Sequence, residues 1–309
     1  MESFQIAFVN VLITIFYFIP GFVIRKMNRA SEQHLPTLSA VLVYIGGPFL
    51  IISSFLSMDA DASTTWNMIA FFFFTLVAQA LFMLLLFLIF RRRAGDARFR
   101  VMTIGSVVGN VGFFGIPILR ALFPDHPELA CYSTMFTTSM NVLIFTVGVF
   151  CLTGDKRYMS IKSAICNPTM FGLAIAFPLY LFGFREVCPT ALSNAIATVG
   201  SMTAPLCMFI LGIRLASAPL KRIFSNPYVY FTAALKLLIF PLFCYALVYF
   251  LPLPEVFKAA VVILSGMPCA AVLQSLAEMH KSETEMPANC VMVSTLCCFL
   301  TIPLLTFLL

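Results

Sequence analysis

Long apolar runs alternate with short polar stretches along the whole chain, and at about 20 residues per bilayer crossing they read as ten membrane helices. The segments run from about Phe4 to Ile24, Leu35 to Leu56, Trp66 to Phe90, Val101 to Phe123 and Leu129 to Leu152 in a first half. Pro168 to Phe184, Pro189 to Leu215, Pro227 to Leu251, Pro254 to His280 and Glu285 to Leu309 follow in a second. Segments four and nine, at matching places in the two halves, are each interrupted near the middle. The first interruption reads Gly109-Asn110-Val111-Gly112-Phe113-Phe114-Gly115-Ile116-Pro117 and the second Ser265-Gly266-Met267-Pro268. Lipid cannot satisfy the amide and carbonyl groups that an unwound backbone exposes, so such breaks survive only where they line a protein cavity. Paired interruptions across two repeats are the sequence mark of a transporter's binding site.

Composition agrees with a membrane solvent. Hydrophobic residues make up 61% of the 309 and charged residues 10%, where a soluble domain has about 25% charged. The expected architecture is all-α and integral to the membrane, with no soluble domain of its own. The net charge of +6 does not point to nucleic acid, because the basic residues sit in short stretches between apolar segments. The stretches after segments one, three and five hold three, five and three Lys or Arg, Arg214 at the end of segment seven with Lys221 and Arg222 after it makes three more, and Lys281 follows segment nine. The other side has Arg120, Arg185 and Lys258. By the positive-inside rule the basic side is cytoplasmic and both termini face outward, in a cell (inner) membrane. The positive flank of segment one follows its apolar run, the reverse of a cleavable signal peptide.

Five spans per half require the second half to insert upside down, which predicts two inverted five-helix repeats, residues 1–152 and 163–309. Pro20 and Pro178, Pro48 and Pro205, and Pro117 and Pro268 recur 151 to 158 residues apart, in segments that such a repeat would pair. A half-helix starting after each break presents free amides and about half a unit of positive dipole charge, which suits a carboxylate. Gly112, Gly115 and Gly266 remove bulk there, Pro117 and Pro268 withhold an N–H, and Asn110 adds an uncharged amide donor.

Lys236 lies about 15 Å into segment eight at ~1.5 Å per residue, too deep for easy snorkelling, and reads as a functional cation. A lysine reaching the interface by local distortion is the plainer alternative. Asn141 in segment five, near Thr137, Thr138 and Ser139, is a candidate site residue or interhelical hydrogen-bond glue, and Gln79 and Gln274 divide the same way. The Phe71 to Phe74 run and the methionines read as lipid-facing or packing residues. Glu278 and His280 form no metal motif. Most of the ten cysteines lie in apolar segments without a CxxC pair, so no metal, redox centre or cofactor is expected. Paired acids and a nucleophile–base pair are missing from the spans, which argues against an enzyme. No Asp or Glu stands at mid-depth, so coupling through a midplane carboxylate is not expected.

Asn110 to Pro117 with Ile118-Leu119 resembles the crossover motif of the auxin efflux carrier family, which includes the plant PIN exporters and belongs with the bile acid/sodium symporter-like proteins. Gly47-Pro48-Phe49-Leu50, Ala204-Pro205-Leu206, Leu211-Gly212, Lys236 to Pro241, Gly266-Met267-Pro268 and Leu300 to Leu305 are similar to that family in order and spacing. The long cytoplasmic loop of the plant exporters is missing, so the chain looks like a compact bacterial member. The resemblance implies a scaffold of segments one, two, six and seven, a transport part of three to five and eight to ten, crossing segments four and nine, elevator-like alternating access and a homodimer through the scaffold. The expected cargo is a small organic anion. A sodium-coupled symporter of the bile-acid type, and a membrane receptor or channel-like protein, are the alternatives.

Overall fold

The computed structural model describes residues 2–153, 156–218, 220–279 and 285–309, and His280 and Lys281 lie outside them. Twelve helices carry the architecture: α1 (Ser3–Lys26), α2 (Glu32–Phe55), α3 (Ala62–Arg93), α4 (Ala97–Gly105), α5 (Val111–Leu122), α6 (Glu128–Thr153), α7 (Pro168–Leu181), α8 (Thr190–Ser217), α9 (Pro227–Tyr249), α10 (Glu255–Ser265), α11 (Val272–Met279) and α12 (Glu285–Leu308). Seven of them are long and apolar enough to cross a membrane, whereas α5 and α7 are shorter apolar helices. Segments four and nine are each two half-helices. At ~1.5 Å per residue, the 9 residues of α4 and the 11 of α10 reach about 14 and 17 Å, half of a ~30 Å hydrocarbon core.

Local sequence sets the helix starts and their irregularities. Asp61 accepts from the Thr64 amide at 2.7 Å to cap α3, and Asn167 and Asn226 cap α7 and α9 ahead of a proline at the first helical position. Asp96 accepts from the Arg98 amide at 3.0 Å to cap α4. Three wide π turns, Val41–Gly46, Val111–Gly115 and Leu235–Ile239, lie just before Pro48, Pro117 and Pro241. A proline ring collides with the carbonyl four residues back and offers no N–H, and widening that turn relieves the collision without ending the helix.

Polarity is inverted relative to a water-soluble protein. Leu81, Leu84, Leu85 and Leu88 of α3 and Ile13 and Phe16 of α1 face outward, while Ser54, Gln79, Ser133, Ser139, Thr232, Ser265 and Ser294 are fully enclosed. Many inner hydroxyls bond back to carbonyls of their own helix, as Ser54 does to Leu50 and Thr232 to Tyr228. Of the phenylalanine run, Phe71 is buried and stacks on Tyr132 at 4.7 Å, whereas Phe73 is outward.

Small residues hold α1, α2, α7 and α8 together. A Cβ on Gly21 would lie 2.8 Å from the Phe209 carbonyl carbon, and one on Gly212 would lie 2.7 Å from the Phe22 nitrogen. Gly172 and Gly200 meet the α2 backbone at Pro48 and Leu50 in the same way. Close backbone approach of this kind is how helices associate where lipid removes the hydrophobic drive. Elsewhere α3 packs along α6, and α9 against α10 and α12.

Side chains group the helix ends on two faces. On one, Arg25 donates to Ser217 at 2.6 Å, joining the end of α1 to the end of α8, and Arg98 lies over the Tyr228 ring at 4.7 Å, joining the start of α4 to the start of α9. On the other, Arg185 pairs with Asp59 at 2.8 Å and the Tyr180 hydroxyl meets the Asp61 backbone, joining the end of α7 to the α2–α3 turn.

Candidate functional site

The two broken segments cross and touch at the breaks. Gly109 and Cys269 form an isolated antiparallel bridge, in which the Asn110 amide donates to the Pro268 carbonyl at 2.7 Å and the Ala270 amide to the Val108 carbonyl at 3.3 Å. Each unwound stretch thereby satisfies part of the other, which is what makes two mid-membrane breaks tolerable. Three further groups of the breaks are met by side chains from neighbouring helices. The Gly109 amide points at the Met140 sulfur at 3.2 Å, the Cys269 amide donates to Ser294 Oγ at 2.9 Å, and Ser133 Oγ donates to the Val111 carbonyl at 2.9 Å.

Past the bridge, the amides of Val111, Gly112 and Phe113 find no acceptor among the described residues; the first closed bond of α5 is Phe114 to the Asn110 carbonyl at 3.2 Å. Three open donors at the start of a half-helix, directly after Asn110, make a position suited to an anion. Asn110 is 9% exposed, and its Nδ2 has a weak acceptor, Cys207 Sγ of α8 at 3.4 Å. Gly112 has room around it, with Thr137 Oγ1 3.8 Å from where a Cβ would stand. Gly115 does not: its Cβ would lie 2.8 Å from Leu264 Cδ2, so it lets α5 and α10 touch. Gly266 is likewise closed off, by Leu305. Pro117 stands in the first turn of Ile116–Leu122, and Pro268 supplies the carbonyl for Asn110.

Lys236 is wholly enclosed, which removes the alternative of a lysine stretched to the interface. Its Nζ donates to the Ser265 carbonyl at 2.5 Å, lies 4.9 Å from the Phe240 ring centre, and presses on Gly109, where a Cβ would be 3.0 Å from Nζ. The cation therefore contacts both breaks.

The other candidates separate. Gln79 donates to Ser139 Oγ at 2.8 Å beside Thr75 Oγ1, also bonded to Ser139 at 2.9 Å, so it ties α3 to α6. Asn141 is buried on α6 and makes no side-chain bond among the described residues. Gln274, in the first turn of α11, accepts from Arg214 of α8. Cys207, Met140, Ser294 and Arg214 were not legible as partners from sequence. Ser294 carried the best signal, a hydroxyl at mid-depth in segment ten, while Arg214 reads in sequence as a basic residue flanking the end of segment seven.

A multi-pass bundle with two interrupted helices bridged at mid-depth defines the class of membrane transporters, proteins that move a solute and catalyse no covalent reaction. The chain belongs to the family described as Membrane transport protein, an auxin efflux carrier-like family, whose profile matches residues 6–161 and again residues 156–306. An uncharacterized transporter of Methanothermobacter thermautotrophicus is 22% identical over 288 residues, covering 92% of each chain. Another, of Methanocaldococcus jannaschii, is 23% identical over 300 residues, covering 95% of this chain and 96% of its own.

Proposed function

We propose that this transporter carries small organic anions, monocarboxylates or dicarboxylates, by alternating access. The observation that carries the reading is the run of three open amides at Val111, Gly112 and Phe113, beside Asn110 and at the positive end of a half-helix. A carboxylate there accepts hydrogen bonds from amides that no protein group takes up. Asn141, one helical turn along α6 from Thr137, would widen the site, and Gln274 would act through its link to Arg214.

Counting α4 with α5, α10 with α11, and α7 as spans gives ten in two repeats. The opposite insertion of these repeats is supported by α1 ending on the Arg25 face while α7, its counterpart, ends on the Arg185 face. The basic face would be cytoplasmic in an inner membrane, with both termini outside. The glycine-stitched group α1, α2, α7 and α8 would serve as scaffold, with dimer contacts through it, and the remaining helices would move as an elevator. Counterflow in proteoliposomes tests this: vesicles preloaded with unlabelled organic acid should accumulate labelled carboxylates and not the corresponding neutral amides or amines. Equal accumulation of the amides would remove the anion reading.

A further inference from the structure

We infer that the Lys236 ammonium is a tethered counter-cation for the crossover, standing where a transporter of this architecture would hold a monovalent coupling ion. The half-helix α10 ends at Ser265, and the last carbonyls of a helix are both unsatisfied and the negative end of its dipole. Ser265 gives its carbonyl to Nζ at 2.5 Å. The half-helix α4 ends at Gly105, whose carbonyl accepts from the Cys269 thiol at 3.3 Å, so two negative helix ends converge on the same small volume. Half-helix C-termini with unwound carbonyls are the groups that take up sodium in broken-helix transporters.

Here the positive charge arrives on a side chain. The π turn Leu235–Ile239 presents Lys236 from α9, Gly109 leaves the space that the ammonium fills, and the face of Phe240 covers it at 4.9 Å. Lys236 forms no ion pair with a carboxylate among the described residues, so carbonyl oxygen and ring are its counterparts, the surroundings of an alkali ion. Removing the side chain beyond Cβ would leave a pocket with an oxygen ligand and an aromatic wall, fit for sodium or methylammonium. The consequence for coupling, that no inorganic cation is required, rests on the carrier reading; the site itself does not.

The test is the unfolding temperature of the purified full chain without substrate, in sodium, potassium, methylammonium or N-methylglucamine chloride at one ionic strength. The wild type should melt at the same temperature in all four. K236A should melt about 5–10 °C lower in N-methylglucamine and recover saturably with sodium or methylammonium. K236M, which refills the space without charge, should be lowered and not recover. Saturable stabilisation of the wild type by sodium or potassium would overturn the inference, as would either variant melting like the wild type, or a destabilised K236A that no cation restores. A wild type that fails in carboxylate counterflow yet shows this cation pattern would sink the anion reading alone.

Discussion

Replacing Asn110 by alanine separates folding from binding, because the two depend on different atoms of that residue. The backbone carries the crossing: its N–H donates to Pro268 at 2.7 Å and its carbonyl accepts from Phe114 at 3.2 Å, and alanine keeps both. The side chain contributes one contact to a thiol at 3.4 Å, long and weak, so its loss should cost under about 1 kcal/mol of stability. Against a bound carboxylate the same amide would make a charge-assisted hydrogen bond, worth about 1.5–3 kcal/mol. Asn110→Ala should therefore weaken carboxylate binding roughly 10- to 150-fold while the unfolding temperature without ligand stays within a few degrees. Isothermal titration with the best counterflow substrate measures the first quantity and differential scanning fluorimetry the second. Asn110→Asp supplies the sign: a second negative charge beside the open amides should weaken binding further than alanine does. Unchanged affinity in Asn110→Ala would take this residue out of the site, and tighter binding in Asn110→Asp would mean the guest is not an anion.

Gly21→Ala should destabilise the bundle by at least about 1–3 kcal/mol, since its Cβ meets backbone at Phe209 that only a separation of α1 and α8 could relieve; Gly95→Ala, with open space around it, is the control, and equal melting of the two would refute the packing account. Gln79→Met loses the bond to Ser139, about 0.6 kcal/mol inside a membrane, but also removes a buried Oε1 that has no partner, about 1–3 kcal/mol, so stability should hold or rise and counterflow should persist; a marked loss of transport would restore Gln79 as a site residue. Asp61 is held below the usual carboxylate range, first by the Thr64 amide and then by its hydroxyl. Its cap on α3 is present above the ordinary carboxylate value and fades as pH falls through the lowered one, so Asp61→Asn should flatten the acid side of a melting-temperature profile, and an unaltered profile would contradict the cap.

What the chain discloses by itself follows from how costly each feature is in lipid. Glycine and proline at mid-span, and a lysine ten residues deep, are expensive anywhere except against protein, so Gly109 to Pro117, Gly266 to Pro268 and Lys236 could be marked without coordinates. Partner identity carries no such signal. Nothing in the order of residues joins Asn110 to Cys207, Cys269 to Ser294 or Gln274 to Arg214, because each pair is a tertiary fact between segments far apart in the chain. Arg214 was hidden for a second reason: at the end of segment seven it reads as one of the basic residues that flank a span, whereas in the fold α8 continues to Ser217 and Arg214, in the last helical turn, meets Gln274.

Gly109 shows what physical quantity the sequence withholds. As a letter within an interrupted span it stands for backbone freedom, and the unwound turn would account for it. In the fold, the volume a methyl group would take at Gly109 is taken by the end of Lys236, more than a hundred positions away, and the two residues are complementary in shape before any question of conformation arises. A substitution at either one is thus a change at both: alanine at Gly109 must push the ammonium off the Ser265 carbonyl, with no route to water for it to follow, since Lys236 is completely enclosed. Gly109→Ala and K236A should accordingly couple in a double-mutant cycle, the pair costing less than the sum of the singles, because once Nζ is gone the added methyl group has space to occupy. Strict additivity would leave backbone freedom as the whole reason for the glycine and would detach Lys236 from the bridge.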